Sequence, residues 1–366
     1  MYNYLIMMKN FKTFAKKSGV LLILISVAFS LVSCNRENKN KKDSLNTLFV
    51  SFIDVGQGDS ILLECDEEAM LIDAGENDKG DVVINYLNSR KIDKLKYAVG
   101  THPHSDHIGG MDTVMEEVPV DSFIYPSCDY ETKTWNDVLD AANDNKSKLI
   151  KASSNKSYSL GDATFTIYAP QNDSIYSDCN NYSIVIRLTH GDASFLFTGD
   201  AEAVSEKEMI KCGYYLKSDV LKVGHHGSRY SSCEQFLDVV QPEYAVIPCG
   251  KDNEYAHPHI ETMNKLNDRN IAVYRTDQNG TVVFKSDGKN INVEKGTEYV
   301  FKSKKTEYTS VTASAETVYI GNKNSLVFHK ANCNSVKAMN LENKVYFDSR
   351  DDAVAKGYRS CGSCRP

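Results

Sequence analysis

The stretch THPHSDHIGG, Thr101 to Gly110, sets three imidazoles and a carboxylate in one short loop and follows them with two glycines. Imidazoles this close gain little from packing and repel one another when protonated, so the chemistry the run suits is metal binding. His102 and His104 are two residues apart and point the same way from an extended backbone, where they can share one ion. Asp106 and His107 follow as the chain turns toward a helix and point to a second ion. Neutral imidazole and carboxylate are usual ligands for zinc, and manganese fits them too. Gly109 and Gly110 let the backbone pass close to such a site. Two divalent ions about 3.5–4 Å apart would activate a water and clamp the oxygens of a phosphoryl centre.

The elements that must position this loop are mostly strands. "TLFVSFIDV" and "SILLEC" flank "GQGD", a glycine-rich turn of hairpin type. "AMLIDAG" ends a strand on Asp73, "DVVINYLNSRKI" has helical apolar spacing, and "LKYAVGT" delivers the histidine loop. Further strands are expected at "ATFTIYAP", "YSIVIRLTHG", "SFLFTGD", "DVLKVG", "YAVIPCG", "IAVYRT" and "GTVVFKS", with helices after Asp200 and at "HIETMNKLNDRN". Hairpins mixed with crossovers predict mixed sheets covered by helices.

His-x-His-x-Asp-His resembles the signature loop of the metallo-β-lactamase fold, an αββα sandwich of the α/β class with a dinuclear site between its sheets. "LIDAG" is similar to the motif whose aspartate, here Asp73, supports the ligand loop. "LFTGD" is similar to the strand end whose aspartate, Asp200, bridges both ions. "LKVGHHGSRYSS" resembles the motif whose histidine completes the second site, read here as His225 with His226 beside it. The resemblance thus implies Asp106, His107, Asp200 and His225 on one ion, and His102 and His104 with the Asp200 bridge on its neighbour. Together with "NNYSIVIRLTHGDASFLFTGDAE" and "YAHPHIETMNKL", these motifs look like the extracellular hydrolase domain of the ComEC family of DNA-uptake proteins and its free-standing relatives, over roughly residues 47–285. After Cys34 no segment of this sequence is long and apolar enough to span a bilayer, so the polytopic membrane part of that family is not expected within it.

Many superfamily members place a third histidine about twenty residues before the bridging aspartate. Here that region reads "SDCNNYSIV". His190 lies too close to Asp200 and is read as a surface histidine. Water, a substrate oxygen or Cys179 could complete the first ion, the cysteine reading otherwise as a buried structural thiol. Asp106 and Asp200 are assigned to the catalytic centre. His226, Ser228 and His257 are candidates to bind the phosphate or protonate the leaving oxygen, with turn capping the other reading of His257. Asp59 either faces the site or serves the hairpin turn.

The formal net charge is -7, which argues against a broad electrostatic footprint for nucleic acid. Lys9, Lys12, Lys16 and Lys17 precede "SGVLLILISVAFSLVSC", an apolar run of export-signal length. Its end, Leu31-Val32-Ser33-Cys34, resembles the bacterial lipobox; an uncleaved anchor is the other reading. Residues 1–33 are therefore expected to be a lipoprotein signal peptide and 34–46 a flexible tether. The hydrolase domain is expected at 47–302, followed by a Ser/Thr/Lys-rich linker at 303–316.

Residues 317–366 form a separate unit. His329-x3-Cys333 and Cys361-x2-Cys364 make a closed Cys3His set, typical of structural zinc; a disulfide among these cysteines is the competing reading. The stretch resembles the zinc-binding module of the DNA-repair protein Ada, a small α+β unit, with His329 in place of one cysteine. From Val318 onward eight Lys and Arg face four Asp and Glu, a net +4 that suits a nucleic-acid-facing module. Cys65, Cys128, Cys179, Cys212, Cys233 and Cys249 show no framework spacing and are read mostly as core thiols.

The reading is an exported, lipid-anchored hydrolase of the bacterial cell envelope, carrying two zinc or manganese ions and one structural zinc and cleaving phosphodiesters, with DNA the leading substrate. The alternatives are a phosphodiesterase for small or envelope substrates such as phosphorylcholine groups, and a non-catalytic DNA-binding lipoprotein. Mass spectrometry of membrane-extracted protein should find a lipid-modified Cys34 as the N-terminus; an intact Met1 in the mature form refutes the anchor.

Overall fold

The computed structural model describes residues 45–128 and 131–299 and, within 319–364, all but 331–332, 338, 340–342 and 348–349. The expected signal peptide, Cys34, nearly all of the tether and the linker lie outside the described residues. The chain divides into two compact units, 1–301 and 302–366. Among the described residues no helix is long and apolar enough to cross a membrane.

In the first unit, β1 (Leu48–Phe52), β2 (Ile61–Cys65), β3 (Glu68–Ile72), β4 (Leu95–Val99), β5 (Val120–Tyr125) and β6 (Lys148–Lys151) begin one sheet. A second sheet follows from β7 (Ser157–Leu160), β8 (Ala163–Ala169), β9 (Val185–His190), β10 (Ala193–Phe197), β11 (Val220–Lys222), β12 (Tyr244–Ile247) and β13 (Ala272–Arg275). The chain then returns through β14 (Val282–Ser286) and β15 (Ile291–Lys295) to complete the first sheet. The orders are β15-β14-β1-β2-β3-β4-β5-β6 and β13-β12-β11-β10-β9-β8-β7.

The period-two alternation of strands explains the layering. Ile61 and Leu63 of β2 and Met70 and Ile72 of β3 meet Phe165, Phe195 and Phe197 of the other sheet in the central core. Leu62 and Leu71 point outward and pack with Val83, Leu87, Met111, Val114 and Val138 from the covering helices. On the far side Leu196, Leu221 and Ala245 pack with Met209, Phe236, Leu237, Met263 and Leu266. Each such large side chain stabilises the sandwich by about 1.5–3 kcal/mol. The result is helices, sheet, sheet, helices, as the mixed strand pattern predicts.

Each sheet contains a parallel block, β3 to β6 in the first and β10 to β13 in the second. Their carboxyl ends release Asp73, the histidine loop, Asp200 and the His225–His226 pair. The β1–β2 connection leans onto the histidine loop: Asp59 N–H donates to Asp106 O at 3.1 Å. Gly58 (φ +128°) makes that approach possible, since a Cβ there would lie 2.2 Å from Asp106 O.

Two readings change. Cys128 and Cys179 form a disulfide across 51 residues, a pairing made by topology, so neither is a core thiol and Cys179 has no free thiolate for a metal. Of the others Cys65 and Cys249 are buried thiols, whereas Cys212 is exposed and Cys233 half-buried. His190 is buried, not on the surface; its Nδ1 meets Ser286 Oγ at 3.0 Å because β14 returns beside the end of β9.

In the second unit, β16 (Tyr319–Asn322), β17 (Val327–Lys330), β18 (Lys344–Phe347) and β19 (Arg359–Ser360) form a sheet of order β18-β16-β17-β19. Among the described residues its apolar core is two small clusters, Ile320 and Val336 with Cys333 and Cys361, and Phe328 with Phe347 and Ala353. So little buried surface calls for a staple.

Replacing Cys128 with Ser should lower the stability of the first unit by about 2–4 kcal/mol in denaturant titration under non-reducing conditions. An unchanged midpoint would show that the bridge does not restrain the unfolded chain.

Candidate metal centre

Asp73 anchors the site. It leaves β3 in the left-handed region at φ 58° and is completely buried. Thr101 donates to it twice, from N–H at 2.8 Å and from its hydroxyl at 2.7 Å. His107 Nδ1 lies 2.8 Å from Asp73 Oδ2, which puts the proton on Nδ1 and turns Nε2 toward the cluster. The backbone repeats the tie, with Ala74 N–H donating to His107 O at 2.6 Å.

Around His107 Nε2 the other groups converge. His226 Nε2 lies 3.3 Å away and Asp200 Oδ1 3.2 Å. Asp106 Oδ2 is 3.2 Å from His226 Nε2, and Asp200 Oδ2 is 3.5 Å from it. One donor atom from each of Asp106, His107, Asp200 and His226 falls within 4.8 Å of the others. His226 Nδ1–H donates to Pro248 O at 3.0 Å, which aims its Nε2 inward. Beside this cluster His102 Nε2 lies 3.1 Å from His104 Nδ1 and 4.0 Å from Asp200 Oδ2. Thr101 Oγ1 and Ser183 Oγ lie 3.2 Å and 3.3 Å from His102 Nδ1 and orient that ring.

The place the sequence reading gave to His225 is taken by His226. Both sit in left-handed backbone, at φ 51° each, and the consecutive turns send the two rings to different sides. His225 lines the cleft with its Nε2 3.7 Å from Asp200 Oδ2 and its Nδ1 3.5 Å from Glu202 Oε1.

Lys222 escaped the sequence reading. It ends β11 inside the apolar run "VLKVG", completely buried, and a lysine at such a position is itself the signal. Its ammonium pairs with Asp59, donates to Gly199 O at 2.7 Å and stands 3.6 Å from Asp200 Oδ1. Asp59 also lies 3.4 Å from His226 Nδ1, so it faces the site. Burial pushes the Asp59 carboxyl up, and the Lys222 ammonium and neighbouring imidazoles more than offset it, leaving it below the ordinary value.

Asp59, Asp73, Asp106 and Asp200 thus gather around the two imidazoles of His107 and His226, and among the described residues Lys222 is the ammonium paired with them. Burial disfavours charged imidazole, yet Asp200 and the other carboxylates hold His107 and His226 well above their ordinary pKa. His102, buried and beside a charged His107, is pushed well below. Protons on His107 and His226 therefore occupy the ground a cation would take. Two imidazoles and two carboxylates on a surplus of negative charge form a donor set that fits a divalent metal.

The cluster floors an open cleft of about 490 Å³, lined by His104, Asn180, His225, Tyr255 and His257 among others. His257 is pinned by Asn253, which accepts its N–H at 2.9 Å and donates to its carbonyl at 2.7 Å. Burial and the neighbouring His226 and His225 push its pKa down to about 3, so the ring is neutral. Ser228, a candidate to bind the phosphate or protonate the leaving oxygen, is buried within its own loop, its Oγ accepting from Tyr230 N–H at 3.4 Å.

In the second unit His329, Cys333, Cys361 and Cys364 bring their ligand atoms within 4.8 Å of one another. All three cysteines are free thiols, and Cys333 Sγ lies 3.4 Å from His329 Nδ1. A hydrogen bond from the Cys364 backbone N–H holds the Cys361 thiol below its ordinary value, which favours the thiolate a metal requires.

Residues 53–251 match the profile of the metallo-beta-lactamase superfamily, and 306–366 that of the metal binding domain of Ada. The chain is 32% identical over 254 residues to ComE operon protein 3 of Bacillus subtilis, covering 64% of this chain and 33% of that protein. It is 32% identical over 247 residues to Recombination protein 2 of Haemophilus influenzae, covering 66% of this chain and 29% of that protein. The chain thus spans about a third of the length of these relatives. Among solved structures it is similar to the metallo-beta-lactamase fold protein YhfI of Bacillus subtilis, with a TM-score of 0.45 at 12% identity, covering 65% of this chain and 100% of that one.

Lys222→Met should cost about 3–5 kcal/mol in the metal-free protein, because Asp59 is left charged and buried without its partner. Adding Asp59→Asn should recover most of the loss in the same denaturation assay. A single variant as stable as the parent would show that Lys222 does not balance Asp59.

Proposed function

The chain belongs to the metallo-β-lactamase superfamily, and we infer that its first unit is an exported, metal-dependent hydrolase of phosphodiester bonds, with DNA the leading substrate. The observation that carries this is the convergence of Asp106, His107, Asp200 and His226 on the floor of an open polar cleft, next to the His102–His104 pair. Asp106, His107, Asp200 and His226 would hold one divalent ion, and His102 and His104 with Asp200 a second. Such ions, when bound, supply Lewis acidity toward a phosphoryl group and a nucleophilic water at neutral pH.

The chain's own residues do the positioning. Asp73 and Pro248 O fix the tautomers of His107 and His226, so that both Nε2 lone pairs face inward. His225 and neutral His257 stand on the cleft wall with their rings 5.4 Å apart, placed to donate to non-bridging phosphate oxygens. A ring with a pKa near 3 serves as a hydrogen-bond donor and not as a store of protons.

Similarity to a protein named for recombination supports a DNA substrate. The Cys128–Cys179 bridge supports export, since such bridges persist in oxidising compartments. The lipid anchor at Cys34 belongs to the same proposal. The second unit is read as a zinc-stapled module whose positive balance recruits DNA through a few salt-sensitive phosphate contacts.

The test is incubation of the purified protein with DNA and with a small chromogenic phosphodiester, across zinc and manganese. Asp200→Ala, His107→Ala and His226→Ala should lose bound metal and about a hundredfold or more in turnover. His225→Ala should keep its metal while losing turnover. Full metal content and full activity in His226→Ala would overturn the ligand assignment, and inactivity of the parent on every phosphodiester would overturn the reaction class.

A further inference from the structure

The position served by His102, His104 and Asp200 has one protein donor fewer than its neighbour. The turn of Cys179–Tyr182 runs beside it. Ser183, at the end of that turn, touches both sides of the position: its hydroxyl accepts Asp200 N–H at 2.9 Å and lies 3.3 Å from His102 Nδ1. Ile184 N–H donates to Thr101 O at 2.9 Å, one residue before His102.

The two asparagines of the turn are not equivalent. Asn181 is used up by the fold: its Oδ1 accepts the N–H groups of Glu202 and Ser205 at 3.2 Å and 3.3 Å, and its Nδ2 donates to Glu202 Oε2 at 3.3 Å. Asn180 lines the cleft together with His104 and Asp200. It is 7% exposed, and its Oδ1 is buried with no hydrogen-bond partner. An acceptor left this way costs about 1–3 kcal/mol. Its backbone is held on every side, by the Cys128–Cys179 bridge one residue earlier, by Asp178 Oδ1 accepting its N–H at 2.9 Å and by Ser183 N–H donating to its carbonyl at 3.0 Å. A rigidly held acceptor without a partner, on a residue that lines the same cleft as Asp106 and Asp200, is satisfied by a cation.

We propose that Asn180 Oδ1 is the further protein ligand of the ion held by His102, His104 and Asp200. This rests on the two-ion reading above and assigns one residue within it. Oxygen from a carboxamide is a weaker donor than imidazole, so this ion is the looser of the two and is exchanged first.

The test is titration of the full chain, zinc already in its cysteine site, with Mn2+ alone, followed by calorimetry and electron paramagnetic resonance. Thiolates disfavour Mn2+, which confines the signal to the first unit. The parent should show two binding steps. Asn180→Ala should weaken one step about tenfold or more and leave the other unchanged, and Asn180→His should restore or strengthen the weakened step. The histidine variant keeps the experiment readable should the alanine variant unfold, which circular dichroism reports. Two parent-like steps in either Asn180→Ala or a folded chain carrying a non-coordinating Asn180→Leu overturn this inference alone. A parent that takes up fewer than two Mn2+ ions overturns it together with the two-ion reading.

Discussion

One carboxylate holds the first sheet's share of the site in place. Asp73 accepts from the Thr101 amide, the Thr101 hydroxyl and the His107 ring at once, and so stitches the end of β3 to the loop after β4. Without those bonds a loop of three histidines next to four aspartates would have no reason to keep its rings converged. Burial raises the pKa of Asp73 itself, yet its neighbours supply donors for both oxygens, the condition under which a buried carboxylate is tolerated. From that anchor the tautomer of His107 follows, and from the tautomer the inward lone pair.

The second sheet contributes its share through a different device. Asp200 leaves β10, and Lys222 leaves the parallel neighbour β11 with its ammonium 3.6 Å from Asp200 and paired to Asp59 of the first sheet. The pair is therefore a bond between the sheets as well as a charge balance. A buried ion pair of this kind adds little net stability but penalises any arrangement that separates its members. The left-handed turn at His225 and His226 adds about 1–3 kcal/mol of local strain per residue, accepted because it alone sends adjacent rings to opposite duties.

Much of this was legible in the sequence, and the rest fails for identifiable reasons. The spacing of His102, His104, Asp106 and His107 announced their convergence, and alternating strands with intervening helices announced the layers. Adjacent histidines could not be told apart because their roles depend on two positive φ angles, which no periodicity encodes. Cys128 follows β5 of one sheet and Cys179 precedes β9 of the other, so their meeting is a fact of topology and not of spacing. Lys222 hid inside an apolar strand, where its charge looked like an exception to a pattern. His190 was misplaced because the strand that buries it arrives almost a hundred residues later.

Gly58 fits against the carbonyl of Asp106 with no room for a single further carbon. The first hairpin and the histidine loop, more than forty residues apart along the chain, consequently share one surface and cannot drift independently. A change in either would have to be answered in the other at the same moment, or the carboxylate of Asp106 would swing away from its partners. For descendants of this chain the two segments form a single heritable piece, and variation in the shape of the cleft must come from elsewhere.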